Sequence, residues 1–164
     1  MKKMLAFAAV ALLLPLGTTL GLDLPELKEG LWSIHRLVTT NPGNNKTDTT
    51  STICRNHAFD QHVRSLAKGR KGCSVVNESL QGGTYVVETR CQVGGTAIDS
   101  KGTVTSRGDN ATHSESHATY TPAMAGMSEM TIVMDEKYVG NCPAGVEPGD
   151  ITQADGKVTH TWKH

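Results

Sequence analysis

Apolar side chains recur at every second position along much of the chain, a pattern typical of β-strands that bury one face. The segment 28–40 gives the first example, because three apolar side chains share one of its faces: Trp32, Ile34 and Val38. A turn sequence, Asn41-Pro-Gly-Asn-Asn, separates it from a Thr-rich segment at 47–54. The pattern therefore predicts a β-hairpin at the start of the folded part.

The period changes between residues 56 and 68. Asn56 is a suitable N-cap, and apolar residues then recur at helical spacing at Phe59, Val63 and Leu66. We therefore predict one short helix here. The sequence that follows, Lys68-Gly-Arg-Lys-Gly, is basic, and we interpret it as a solvated turn.

A second hairpin is predicted on the two sides of Gln81-Gly-Gly. If these three residues form the loop, Cys73 lies directly opposite Cys91 in the ladder, where Cβ atoms are about 4.5–5.5 Å apart. A small local adjustment would then allow a disulfide. The same register puts three side chains on the cysteine face, which we predict to be buried: Val75, Tyr85 and Val87.

Three more strands are predicted over 98–106, 111–121 and 130–141. About seven short strands joined by local turns predict a mainly β fold, an antiparallel meander that forms a small barrel or a sandwich. It would carry one short helix and two disulfides. The last residues, 143–164, are loop-like in composition and are expected either to add a hairpin around Asp155-Gly156 or to be a mobile tail.

The first 21 residues have the features of a secretory signal peptide. Lys2 and Lys3 precede an apolar run over 5–16, and Thr19 and Gly21 are small residues at the −3 and −1 positions of a cleavage site. The run is shorter than the roughly 20 residues that a membrane-spanning helix needs. We therefore expect a signal peptide at 1–21, a β domain at 22–142 and no integral membrane segment after cleavage.

The chain has four cysteines, all after this segment, and an even number in an exported protein predicts disulfides. Zinc sites usually contain closely spaced cysteine pairs, whereas the nearest pair here is 18 positions apart. With Cys73 opposite Cys91, Cys54 pairs with Cys142 by elimination, one of three connectivities that four cysteines allow. The expected location is the periplasm.

Two segments contain potential metal ligands. His113, Glu115 and His117 share a strand face, but the two histidines would stand roughly 13–14 Å apart and could not bind one ion. A polar strand face is therefore the favoured interpretation. The thioethers of Met124, Met127 and Met130 suit Cu(I), although packing is the favoured role for methionine in such a strand.

Neither a nucleic-acid partner nor an enzyme is expected. The formal net charge is zero, whereas nucleic-acid-binding domains usually carry a basic face. No nucleophile elbow, Walker loop, H-E-x-x-H or haem-attachment motif is present, and the cysteines are assigned to disulfides. We expect no cofactor.

Three short motifs follow one another along the chain: Leu-Lys-Glu-Gly-Leu-Trp-Ser at 27–33, Ile53-Cys54 before a polar helix, and Val-Gly-Asn-Cys at 139–142. Their order resembles that of the bacterial domain-of-unknown-function family 3617. The first motif is similar to the family's opening strand, and the second is similar to its Gln-Cys-Leu segment. The resemblance covers about residues 26–143 and implies an exported β domain without implying an activity.

The leading functional hypothesis is a non-enzymatic periplasmic module that binds a small apolar ligand or an envelope protein. Three residues, Trp32, Tyr85 and Met134, would either line a pocket or fill a core. The alternatives are a purely structural or interaction protein, and copper binding through the methionine segment.

Overall fold

The computed structural model describes residues 25–162, without the side chains of residues 67 and 68. The predicted signal peptide lies outside this range. Among the described residues, no helix is both long and apolar enough to cross a membrane. The described residues form ten elements in chain order: β1 (Gly30–Asn41), β2 (Asn45–Arg55), α1 (His57–Lys68), β3 (Cys73–Gln81), β4 (Thr84–Val93), β5 (Thr96–Ser106), β6 (Ala111–Met124), β7 (Met127–Gly140), β8 (Asp150–Gln153) and β9 (Val158–His160).

All nine strands belong to one antiparallel sheet, in the order β3-β4-β5-β6-β7-β1-β2-β8-β9. Consecutive hairpins build the run from β3 to β7, which confirms the predicted meander. The strand β7 then pairs with β1, so the first hairpin is added beside the last strand of the meander. Because β3 and β9 are the edges and do not pair with each other, the sheet is open, and the barrel alternative was wrong.

The helix α1 connects β2 to the distant edge strand β3 by crossing one side of the sheet. We call this side the helix face; it carries Trp32 and its direct neighbours Ile53 and Tyr138. Near its start α1 contributes Phe59 to the same cluster. The opposite side, which we call the outer face, carries alternate residues such as His35 and its partner Asp135.

The helix begins where the sequence predicted it. The Asn56 side chain accepts a hydrogen bond of 2.8 Å from the backbone N–H of Phe59, as an N-cap residue does. Of the three apolar residues at helical spacing, Phe59 is buried, whereas Val63 and Leu66 are 46% and 59% exposed. Much of the apolar side of α1 is therefore not covered by the hydrophobic core.

The hydrophobic core is small and lies where α1 starts. Leu27, Trp32, Ile53 and Phe59 are buried together, and four half-buried residues pack around them: Ile34, Tyr138, Ile151 and Trp162. The Trp32 side chain is fully buried, and its indole N–H donates a 2.8 Å hydrogen bond to the carbonyl of Lys28. The Trp32 and Tyr138 rings meet edge to face, an arrangement that stabilises aromatic pairs.

The glycine of the opening Gly-Leu-Trp sequence is required by a close backbone approach. Gly30 has φ of +135°, and a Cβ atom there would lie 2.4 Å from the carbonyl oxygen of Gly140. The register of β1 against β7 shifts at this point, between Leu31 and Trp32. A larger residue would push β7 away and disturb the seating of Trp32.

The second hairpin has the predicted disulfide but a different turn. Gln81 pairs with Thr84, so Gly82 and Gly83 alone form the loop, both with positive φ. Next to the turn, the register of β3 against β4 therefore differs by one residue from the predicted register. A β-bulge between Val75 and Asn77 restores the register, and Cys73 then pairs with Cys91. Tyr85 and Val87 are half-buried as their face requires, but Val75 is 44% exposed, so its predicted burial was wrong.

Both disulfides join the predicted cysteines, Cys73 with Cys91 and Cys54 with Cys142. After Cys142 the chain returns along the sheet, where β8 pairs with β2 and then turns into β9. The hairpin alternative for the last residues therefore corresponds to the structure, and its turn includes Asp155-Gly156. Trp162 then packs against Phe59, with ring centroids 5.8 Å apart.

Candidate functional site

A groove of about 610 Å³ lies between the end of α1 and the first two strands of the meander. Its floor is the Cys73–Cys91 disulfide together with Thr89 of β4. Its wall is the last turn of α1, through Ser65 and Leu66, and its rim is the loop that begins with Gly69 and Arg70. The volume lies within the range of about 300–1,000 Å³ in which proteins hold small molecules.

The groove offers a ligand mainly apolar contacts, because the hydroxyl groups that line it already form hydrogen bonds within the protein. The Ser65 hydroxyl donates a 2.7 Å hydrogen bond to the carbonyl of His62, and the Thr89 hydroxyl shares a 2.7 Å hydrogen bond with the hydroxyl of Ser100. The Leu66 side chain, in contrast, is 59% exposed. Covering it with a ligand would remove apolar surface from water, which stabilises a complex.

Backbone hydrogen bonds hold the rim against the floor. The Cys73 N–H donates a 3.1 Å hydrogen bond to the carbonyl of Arg70, and the Gln92 N–H donates a 2.7 Å hydrogen bond to the carbonyl of Gly72. Gly72 has φ of +78°, and a Cβ atom there would lie 2.6 Å from the carbonyl oxygen of Gln92. The loop can approach β4 this closely only because residue 72 is glycine, so the groove is formed before any ligand arrives.

A second concavity, of about 570 Å³, lies between β2 and the β8–β9 hairpin. Its lining is polar and includes Asp48, Asp155 and Lys157. It lacks the exposed leucine of the groove and is the weaker candidate for an apolar ligand.

A buried charge cluster lies beside the core on the helix face. The Arg55 guanidinium donates 2.9 Å hydrogen bonds to the carboxylates of Asp60, on α1, and Glu136, on β7. The side chains of these acids are only 8% and 13% exposed. Arg55 also lies over the Trp32 ring, 5.2 Å from its centroid, and Thr112 donates a further hydrogen bond to Glu136.

The cluster fastens α1 to three strands, β2, β6 and β7. Burial raises the pKa of Asp60, and Arg55 opposes that rise only in part. Its arginine bonds to both of its carboxylates, and neither Asp60 nor Arg55 lines the groove. We therefore assign the cluster a structural role.

The histidines predicted as a polar strand face lie on the outer face of β6. The Nδ1 atom of His113 is 2.8 Å from the Asp135 carboxylate and its Nε2 atom is 3.2 Å from that of Glu115, and these hydrogen bonds raise the pKa of His113. His117 instead contacts the hydroxyl of Thr131. Within residues 25–162, no group of three His, Cys, Asp or Glu side chains could hold a metal ion.

The three methionines considered for copper do not converge. Met124 pairs with Met127 across the tight turn between β6 and β7. Met130 lies three positions along β7, where it pairs with Ala118 and Thr40, and side chains of a strand alternate between its two faces. Its thioether therefore points to the side opposite that of Met127.

The residues considered as a pocket or a core lie apart on the helix face. Trp32 belongs to the core. Tyr85 on β4 and Met134 on β7 share one row across the sheet but are separated by β5 and β6. The Tyr85 hydroxyl donates a 2.6 Å hydrogen bond to Glu78. Burial is the main cause and this hydrogen bond the second cause that raise the pKa of Tyr85 to about 12. None of the three lines the groove.

Reasoning from the sequence missed the groove, although it had found several of the parts. The cysteine ladder, the helical position of Leu66 and the basic loop were each visible. What the sequence did not show is that α1 crosses the sheet and ends above the second disulfide. No signal in the sequence pointed to it, because the helical pattern places Phe59, Val63 and Leu66 on one side of α1 without showing which of them is covered.

The family model described as "Protein of unknown function (DUF3617)" matches residues 27–142. The match covers more than half of the chain, so the chain belongs to this family, as the resemblance indicated. No curated protein matches the chain. The matched range includes α1, both disulfides and every described residue of the groove.

Proposed function

We propose that this protein is an exported, non-enzymatic binding module of the periplasm, and that it holds a small, largely apolar molecule in the groove between α1 and the β3–β4 hairpin. The observation that carries the proposal is the exposed Leu66 above the Cys73–Cys91 disulfide, in a groove of about 610 Å³. Exposed apolar surface in a concave site is one of the features of ligand-binding grooves.

The two disulfides support export, because such bonds persist in oxidising compartments. The predicted signal peptide at 1–21 supports the same compartment. Together they favour the periplasm over the cytoplasm.

The chemistry of the groove supports binding without catalysis. Of the described residues that line it, Arg70 is the only one that ionises, since both cysteines are disulfide-bonded. A guanidinium stays protonated at physiological pH and cannot act as a general base. The groove therefore offers shape and apolar contact but no group to accept or deliver a proton.

The test is a titration of the oxidised mature protein with the neutral apolar fluorophore N-phenyl-1-naphthylamine. We expect saturable fluorescence enhancement, and about a tenfold weaker affinity in Leu66→Glu, since that change removes a contact of the size of a buried leucine. The matched control is Val139→Glu, a change at a position on β7 that is 52% exposed and outside the groove.

Equal affinity in the two variants would show that the fluorophore binds elsewhere and would overturn the proposed site. Absence of enhancement in the unmodified protein would favour the structural or interaction protein instead. Native mass spectrometry of unreduced protein from the periplasm gives an independent readout, because a retained ligand appears as added mass.

A further inference from the structure

The segment that forms the wall and rim of the groove is strongly basic. Residues 61–77 contain four cations, Arg64, Lys68, Arg70 and Lys71, and no acidic residue. The whole chain has zero net charge, so this concentration is local. An anionic ligand would therefore be attracted to this end of the molecule and not to the protein as a whole.

The four cations are not equivalent. Arg64 lies near Asp60 and lowers the pKa of that carboxyl, so its charge is directed at the buried cluster. Arg70 lines the groove itself. Among the described residues, it has no ion-pair partner, although carboxylates on the same sheet pair with other cations: Asp99 with Arg90, and Glu88 with Lys101.

Hydrogen bonds anchor the backbone of Arg70 beside the apolar floor. The carbonyl of Arg70 accepts the hydrogen bond of Cys73, the first residue of β3, and Cys73 is bonded to Cys91. On the side of Arg70 that leads back to α1, the Gly69 N–H donates a 3.0 Å hydrogen bond to the carbonyl of Ser65. This bond closes the last turn of α1 beside Leu66. A positive charge therefore stands at one end of an apolar surface formed by a leucine and a disulfide.

An apolar surface with one cation at its end is complementary to a molecule with an apolar chain and one negative end. We propose, on the basis of the proposed function above, that the ligand is a free single-chain anionic amphiphile of the fatty-acid class. Its carboxylate is held by Arg70, and its chain lies over Leu66 and the Cys73–Cys91 disulfide. The guanidinium suits this role because it can donate two parallel hydrogen bonds to one carboxylate.

The test compares ligands that share a twelve-carbon chain and differ only at the end: dodecanoate, dodecan-1-ol and dodecyltrimethylammonium. The two ionic ligands are used below their micelle-forming concentrations, and dodecan-1-ol below its solubility limit, to displace N-phenyl-1-naphthylamine from the oxidised protein. We expect dodecanoate to bind about fivefold tighter than dodecan-1-ol, since a partly exposed ion pair contributes on this scale. We expect dodecyltrimethylammonium to bind most weakly, and added salt to reduce the preference for dodecanoate.

The decisive variant is Arg70→Gln, which should abolish the preference for dodecanoate and leave the affinity for dodecan-1-ol unchanged. Its matched control is Arg36→Gln, which removes the same charge from an exposed position on β1 outside the groove. The control should keep the preference. A merely structural role of Arg70 would weaken both ligands alike.

Equal affinities for dodecanoate and dodecan-1-ol, or a preference that survives in Arg70→Gln, would overturn the inference. If the protein binds vesicles of phosphatidylglycerol but not monomeric dodecanoate, the anion comes from a lipid surface and the free amphiphile is excluded. These failures are distinct from failure of the proposed function, because binding of the neutral fluorophore at Leu66 would still stand.

Discussion

Arg55 lies between two nearly buried carboxylates, and its replacement by methionine tests how the helix is held on the sheet. Methionine keeps much of the side-chain volume but leaves Asp60 and Glu136 facing each other without the cation that both contact at 2.9 Å. Removing one partner of a buried ion pair costs about 3–5 kcal/mol, because the remaining charge is uncompensated. We expect a loss of that size in the free energy of unfolding at pH 7.

The dependence on pH follows from the pKa of Asp60. Burial raises this pKa above its ordinary value of 3.8, and Arg55 opposes the rise. For an acid with a raised pKa in the folded state, the stability gained from its protonation is fully present below the ordinary value and is lost as the pH rises through the raised value. Without Arg55 the pKa of Asp60 rises further, so the deficit of the variant should shrink as the pH is lowered toward 4.

The assay is guanidinium denaturation of unreduced protein, followed by tryptophan fluorescence at pH 7 and at about pH 4.5. The triple variant Arg55→Met, Asp60→Asn, Glu136→Gln should recover most of the lost stability, because it removes the two buried charges as well. The control Arg36→Met changes an exposed arginine and should have little effect. A loss below about 1 kcal/mol in Arg55→Met, or a triple variant as unstable as the single one, would refute the argument from buried charge.

Two further predictions concern the groove rim and the outer face. Gly72→Ala should destabilise the protein by about 1–3 kcal/mol in thermal denaturation, because the new Cβ atom is strained at positive φ and overlaps the carbonyl of Gln92. The control Gly82→Ala also has positive φ but lies in open space, so it should destabilise the protein less. Equal losses of stability in the two variants would contradict the role of the close approach. Asp135→Asn should lower the raised pKa of His113 toward its ordinary value of 6.5 in an NMR titration. It should also reduce the stabilisation by protonated His113, which is present below pH 6.5 and is lost as the pH rises through the raised pKa. An unchanged pKa would exclude Asp135 as the main cause of the raised pKa.

The disulfide ladder shows how a correct conclusion came from a partly wrong register. The sequence predicted a three-residue loop, whereas the structure has a two-residue loop at Gly82 and Gly83, since two successive glycines readily adopt the positive φ values of a tight hairpin. A bulge near Val76 then shifts the register back. A bulge has no local sequence signature of its own, so the pairing of Cys73 with Cys91 could be predicted but not the path that leads to it.

The exposure of Val63 and Leu66 could not be predicted from the helical pattern. That pattern shows which residues share a side of α1, and it predicts burial only if another layer covers that side along its whole length. The sheet covers the start of the helix, where Phe59 is buried, and leaves its end above a groove. Whether an apolar side is core or binding surface therefore depends on elements far away in the sequence.

The sequence by itself determined the elements that rest on local chemistry. Alternation predicted the strands, Asn56 the start of the helix, and the even number of cysteines the disulfides, because each depends on neighbours within a few positions or on solvent chemistry. Only the tertiary structure decided that β1 joins β7, that the sheet stays open, and that Arg55 meets Glu136. Contacts between residues more than 80 positions apart depend on how the whole sheet is ordered, and no short pattern encodes that order. The groove, which needs the crossing helix, the edge hairpin and their disulfide together, belongs to this second class.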